Sequence, residues 1–282
     1  MMENMQDPTA LYLDLLKKSL LEDLYVENEL RLLYLRQCLE AQDEFQPEVF
    51  LDIRRRKPKM FQEYIELREV GINYGRTLKN LGFQHTMIGR RRLENVESSL
   101  ETVLQERIPG DVMECGVWRG GAVIFMRGFL AAKQEATRSV WVADSFEGLP
   151  VPTTRQDAGL DLSAARFPML AIDEETVRNL FERYGLLDER VRFLKGWFKD
   201  TLLKAPIAAL SLLRLDGDLY ESTMDALNAL YDRVSPGGFV IIDDFGVLVQ
   251  CKQAVMDFRG KHNISSPIHQ VDWSGVYWRK GA

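Results

Sequence analysis

The sequence predicts an α/β fold, a doubly wound and mostly parallel sheet with an antiparallel hairpin at its C-terminal edge, preceded by a helical extension. Three observations lead there. From residue 112 onward short β-rich runs alternate with helical patterns, the signature of a parallel sheet with crossover helices. A glycine turn follows the first of those runs, and two later runs end in paired aspartates. Residues 1–80, by contrast, carry helical periodicity alone.

The elements follow in order. Asp7-Pro8 opens a helix, because the aspartate caps free N–H groups and proline's missing N–H costs nothing at the first helical position. Leu11, Leu15, Leu16 and Leu20 repeat at helical spacing. Leu30, Leu33, Tyr34 and Cys38 mark a second helix; a loop is expected around Gln46-Pro47 and a third helix over Pro58 to Val70. An amphipathic helix from Leu93 to Glu106 ends at Ile108-Pro109-Gly110. The expected strands are Val112–Glu114, Val140–Ala143, Val191–Leu194, Leu210–Leu215 and Phe239–Ile242, each bounded by Gly, Asp or Pro. Ile268–Val271 and Gly275–Trp278 form the edge hairpin. The stretch from Phe146 to Ile172 is too long for an ordinary connection and reads as a substrate loop or lid.

With 282 residues, 46% of them hydrophobic and 28% charged, the chain can bury a core, which excludes collagen-like, disulfide-scaffold and long disordered classes. Thirty-six basic against 42 acidic residues give a net charge of −6. There is no sustained basic stripe to neutralise phosphates, so no nucleic-acid partner is expected. The cluster Arg54-Arg55-Arg56-Lys57 with Lys59 reads as a solvated connector. Cys38, Cys115 and Cys251 are odd in number and lack C-x-x-C spacing, which signals neither a disulfide framework nor zinc and fits a reducing cytoplasm. No signal-peptide pattern and no apolar run near the length of a membrane span is seen, so no membrane association is expected.

The first chemical signal is Glu114-Cys115-Gly116-Val117-Trp118-Arg119-Gly120-Gly121. An acidic residue ends a strand, and glycines then let a ligand approach the backbone where a helix from Ala122 offers free N–H groups. The spacing is Glu-x-Gly-x-x-x-Gly, which weakens a dinucleotide reading. It suits a cofactor with an amino-acid end, Glu114 facing its ammonium and loop N–H groups its carboxylate; a purely structural strand-turn-helix has the same pattern. Asp144, ending the second strand, is the candidate for a ribose diol, because a carboxylate can accept from both hydroxyls; a helix or turn cap is its other reading.

The second signal is Asp216-Gly217-Asp218 after the fourth strand and Asp243-Asp244 after the fifth. Parallel neighbours deliver these ends to the edge where ligands bind in doubly wound sheets. Four gathered carboxylates call for a cation or a shared proton. All-oxygen ligation without His or Cys points to Mg²⁺ over Zn²⁺, with Mn²⁺ and Ca²⁺ open. Asp216, Asp243 and Asp244 are the candidate metal ligands, and Asp218 is placed to face substrate. The alternative is that each pair merely caps the helix after it.

At these residues the sequence resembles the macrocin O-methyltransferase (TylF) family, whose members methylate sugar or phenolic hydroxyls on natural products with S-adenosylmethionine and Mg²⁺. The matching stretches are Thr86-Met87-Ile88-Gly89 with Arg92-Leu93, Glu114 to Gly121, Val142 to Pro150, Gly196-Trp197-Phe198 with Asp200-Thr201, Arg214 to Thr223, and Ser235 to Asp244. The resemblance implies a class I methyltransferase domain over residues 86–282 and a helical extension over 1–85 that covers the site and forms a homodimer. It implies cofactor contacts from Thr86, Met87, Glu114, Gly116, Gly120, Gly121, Asp144, Ser145, Gly196, Trp197 and Asp216. It also implies Mg²⁺ on Asp216, Asp243 and Asp244, Asp218 as general base, and a small-molecule acceptor. Two rival readings remain. Asp216-Gly217-Asp218 is also the Asp-x-Asp of a metal-dependent glycosyltransferase, and the helices of residues 8–42 could serve a non-enzymatic dimerisation module. His85, Trp118 and the indole of Trp197 read as structural residues rather than catalytic ones.

Overall fold

A computed structural model describes residues 7–69 and 84–281. The chain divides into two compact units, Met1–Leu93 and Glu94–Ala282.

The first unit is helical, with α1 Pro8–Leu20, α2 Val26–Ala41, α3 Pro47–Leu51, α4 Ile53–Arg56 and α5 Pro58–Glu69. Asp7 caps α1 by accepting from the Thr9 N–H, as the Asp-Pro start predicts. The buried face of α1 is Leu13, Leu16, Lys17 and Leu20, whereas Leu11 and Leu15 are exposed. The helix stands where the leucine spacing places it, and only Leu16 and Leu20 of the four are buried, because leucines at every third and fourth position outnumber what one stripe can bury. Leu30, Leu33, Tyr34 and Cys38 all enter a core with Val49, Ile53 and Tyr64. The expected loop around Gln46-Pro47 covers residues 43–46 and gives way at Pro47 to α3, with the proline at the first helical position. Arg54, Arg55 and Arg56 are exposed on α4 while Ile53 anchors that turn in the core. Val70, the expected end of the third helix, lies outside the described residues.

The second unit runs through α6 Arg90–Gln105, β1 Asp111–Cys115, α7 Gly121–Ala132, β2 Val140–Asp144, α8 Glu174–Arg183, β3 Val191–Lys195, α9 Phe198–Thr201, β4 Leu210–Leu215, α10 Tyr220–Leu230, β5 Val234–Ile242, α11 Val249–Lys261, β6 His269–Gln270 and β7 Val276–Arg279. The sheet order is β3-β2-β1-β4-β5-β7-β6. Strands β1 to β5 pair in parallel and β7 pairs antiparallel with both β5 and β6. This is the class I methyltransferase sheet with the expected edge hairpin.

β4, the central strand, is buried at every position, as a parallel strand covered by helices on both faces must be. β5 starts earlier than its apolar run because Val234 already pairs with Leu210, and a register shift absorbs Pro236 and the two glycines. The three cysteines are buried and unpaired. Among the described residues no helix is long and apolar enough to cross a membrane.

Candidate active site

Register sets the site. Glu114 on β1 is the ladder partner of Arg214 on β4, and Arg214 in turn pairs with Ile241 on β5. The ladder continues past the strand ends: Gly116 N–H donates to Ala143 O, Gly196 N–H to Asp144 O, Asp216 N–H to Cys115 O and Asp243 N–H to Leu215 O, each at 2.9 Å. Four connections thus leave the sheet at one level. The strand order reverses between β1 and β4, which makes this crevice the place where such sheets bind ligands.

The glycine loop leaves β1 through Gly116, at φ +85°, and enters α7 through Gly120, at φ +80°. A Cβ on Gly116 would stand 1.9 Å from the Asp216 carbonyl oxygen. Glycine is required there because two backbones touch. Gly121 is the buried first residue of α7. Asp144 holds this loop in place, its Oδ2 accepting from the Val117 N–H and its Oδ1 from the Phe146 N–H, both at 2.8 Å. Burial pushes its carboxyl up, against those N–H groups.

Beyond Asp144 lies a cavity of about 230 Å³. Asp144, Ser145, Gly196 and Trp197 line one side, the loop residues Leu149 to Val151 and Thr153 another, and Gly217, Glu221 and Ser222 a third. Ser145 donates through Oγ to Gly148 O at 2.6 Å and so shapes the turn at the cavity's rim. Trp197 caps α9 by position, its carbonyl accepting from the Thr201 hydroxyl at 2.9 Å.

The acidic cluster sits on the other side of the switch point. One oxygen each of Asp216, Asp218 and Asp244 lies within 4.8 Å of the others, a grouping that could hold a metal ion. Asp244 is buried, its Oδ2 finds no hydrogen-bond partner among the described residues, and burial with the charges of Asp218, Asp216 and Asp243 drives its carboxyl well up. An all-carboxylate set with an orphaned buried oxygen fits a hard divalent cation. Asp218 adopts φ +57°, a left-handed conformation that aspartate tolerates at some cost.

Two expectations for individual residues meet a different geometry. Glu114 does not face an open cofactor space: it is 2% exposed and ion-paired with Arg214. Asp243 is likewise paired with Arg214 through Oδ1, and Asp216 shares the same guanidinium at 3.0 Å. Arg214, 1% exposed, is the hub of three carboxylates and was given no role from sequence. A signal was there, since an arginine inside the apolar run Leu-Ser-Leu-Leu-Arg-Leu must be paired to be buried. Burial and the neighbouring Asp216 and Asp243 push Glu114 up to about 8, although Arg214 pulls the other way. Thr86 and Met87 belong to the first unit. There Thr86 is buried and its Oγ1 accepts from the Ile88 N–H at 3.3 Å, while Met87 is half-buried.

The family model described as macrocin O-methyltransferase (TylF) matches residues 9–280. The chain belongs to the macrocin O-methyltransferase family. It is 53% identical over 206 residues to the 8-demethyl-8-(2,3-dimethoxy-alpha-L-rhamnosyl)-tetracenomycin-C 4'-O-methyltransferase of Streptomyces olivaceus, covering 70% of this chain and 76% of that one. It is 48% identical over 221 residues to the mycinamicin III 3''-O-methyltransferase of Micromonospora griseorubida, covering 77% and 84%. The solved O-methyltransferase NovP superposes with a TM-score of 0.79 at 41% identity over 97% of this chain and 100% of that one. The calicheamicin methyltransferase CalS11 superposes at 0.56 with 18% identity over 85% of this chain and 95% of that one, and so shares the fold. Membership in the macrocin O-methyltransferase family makes the crevice at the β1/β4 switch point the candidate active site.

Proposed function

We propose that this protein is an S-adenosylmethionine- and divalent-cation-dependent O-methyltransferase acting on a hydroxyl of a sugar or phenolic group of a natural product. The observation that carries the reading is the placement, in a chain of this family, of a cavity reaching Asp144 on one side of the switch point and the Asp216, Asp218 and Asp244 carboxylates on the other. Relatives named as rhamnosyl-tetracenomycin and mycinamicin methyltransferases support the acceptor class.

The chain's own residues would divide the work as follows. Asp144 would accept from a ribose hydroxyl of the cofactor, and its hydrogen bonds from the Val117 and Phe146 N–H groups hold the glycine loop in place. Gly196 and Trp197 wall the cavity. S-adenosylmethionine brings a methyl group that is already activated, so the protein's task is alignment and proton removal. Asp216, Asp243 and Asp244 would hold the cation; Asp243 lies outside the Asp216, Asp218 and Asp244 grouping and is oriented by its pairing with Arg214 through Oδ1, so that it would reach the cation through its other oxygen. When bound, Mg²⁺ would supply Lewis acidity that lowers the pKa of an acceptor hydroxyl. Asp218 then takes the proton on its carboxylate as the oxygen is methylated.

The first unit serves as a homodimer contact in this reading, supported by the exposed Leu11 and Leu15 of α1. The cytoplasm is the compartment this reading assigns, in keeping with three unpaired cysteines. Calorimetry with S-adenosylhomocysteine, with and without Mg²⁺, tests the cofactor assignment, and mass spectrometry of glycosylated and catechol-type acceptors tests for the gain of one methyl group. Binding of a nucleotide sugar in place of S-adenosylhomocysteine would favour the glycosyltransferase reading instead.

A further inference from the structure

The long connection between β2 and α8 contains a fully buried aspartate. Asp157 is 0% exposed, and both of its oxygens are used. Oδ1 accepts from the Tyr220 N–H at 2.7 Å, and Oδ2 accepts from the Glu221 N–H at 3.1 Å and the Thr154 hydroxyl at 2.8 Å. Tyr220 and Glu221 are the first two residues of α10, an eleven-residue helix whose own N-cap position, Leu219, has no capping side chain. The helix is therefore capped from a residue 63 positions earlier in the chain.

This cap joins two walls of one cavity. Pro150, Val151 and Thr153 come from Asp157's own loop, and Gly217, Glu221 and Ser222 come from the turn and helix it caps. Thr153 adds a second tie, its hydroxyl donating to Glu221 Oε2 at 2.6 Å on the exposed side. The same first turn of α10 begins two residues after Asp218, whose left-handed backbone must be held from both ends. A carboxylate at a helix N-terminus is favoured by the free N–H groups and the dipole together.

We propose that Asp157 is a positioning residue of the methyl-transfer site: its trans-cap clips the Leu149–Thr153 wall to α10 and thereby sets both the width of the cofactor cavity and the placement of Asp218. The proposal rests on the cofactor reading of that cavity. Asp157→Ala should weaken S-adenosylhomocysteine binding about tenfold, the scale of a lost cap. It should also lower kcat while the acceptor KM stays within about twofold. Asp157→Asn, which keeps a capping oxygen but not the charge, should recover part of both.

The exposed Arg155 beside the clip provides a readout that needs no ligand, because trypsin should cut there about tenfold faster in Asp157→Ala than in wild type. Wild-type protein that binds no S-adenosylhomocysteine would overturn the cofactor reading and leave the clip to be judged by cleavage. Unchanged cleavage at Arg155 overturns the clip. A lowered Tm with unchanged Kd and kcat in the folded variant overturns the positioning role, and should Asp157→Ala not fold, Asp157→Asn is held to the same criteria.

Discussion

The two sides of the switch point are finished differently. On the cavity side the polypeptide satisfies its own buried acid, since each oxygen of Asp144 receives a backbone N–H. On the acidic side the polypeptide stops short: Arg214 serves Glu114, Asp216 and Asp243, while Asp244 keeps a buried oxygen without a hydrogen bond among the described residues. A preformed pocket needs no outside charge to hold its shape. A cluster of carboxylates with one guanidinium among them calls for either a bound cation or shared protons, which metal removal and pH dependence separate.

The sharpest way to break this contrast is Asp244→Ala. If the acidic side depends on a cation, the variant should fold and lose about 10³-fold or more of turnover, and wild type stripped by a chelator should behave alike and recover with Mg²⁺. Full turnover in excess chelator, with no metal found by elemental analysis, would end the cation reading.

Asp218→Asn comes next, with kcat lower by about 10²–10⁴-fold and cation affinity nearly unchanged, as removal of a general base predicts. Loss of the cation in proportion to activity would instead make Asp218 the ligand that the three-carboxylate grouping allows, with Asp243→Asn then the milder of the two. Asp144→Ala should act on the other side, weakening S-adenosylhomocysteine about 10- to 100-fold with cation binding intact, since both a ribose contact and the anchor of the glycine loop are gone. Equal losses of both ligands would show that the sides are not separable.

The smallest effect expected concerns pH. Glu114 is raised to about 8 in the folded protein, above the ordinary value of about 4.3, so the native state binds its proton more tightly than the unfolded chain does. The resulting stabilisation is full below the ordinary value and declines as pH rises toward 8. Chelator-treated protein should therefore lose a few degrees of Tm between pH 6 and 8.5, and Glu114→Gln should flatten that slope. A slope unchanged by the substitution would place the proton elsewhere in the cluster.

Much of this was legible in the sequence because it is local. Strand ends marked by Asp144, Asp216 and Asp243, and the turn at Gly116 and Gly120, follow from residue type and neighbouring pattern, and the strands fell within a few residues of their observed bounds. What escaped was non-local. Nothing near Asp157 announces a helix that begins at Tyr220, and the only hint is the uncapped Leu219. The pairing of Glu114 with Arg214 depends on strand register, which periodicity does not specify across a crossover. Nor does leucine spacing show that Leu11 and Leu15 stand exposed, because a periodic pattern cannot tell which of several adjoining stripes faces the core.

Gly116 sets a gauge between the two sides. Its missing side chain lets the loop after β1 rest directly on the carbonyl of Asp216, so the spacing of the β1 and β4 strand ends is fixed by two main chains in contact rather than by adjustable side chains. A methyl group there would begin 1.9 Å from that oxygen and would act as a wedge that opens the crevice by about 1 Å, a misplacement able to cost about 10²-fold in rate. If the crevice serves methyl transfer as proposed, the rim residues Val151 and Thr153 are open to change while the spacing of the two strand ends stays locked from beneath.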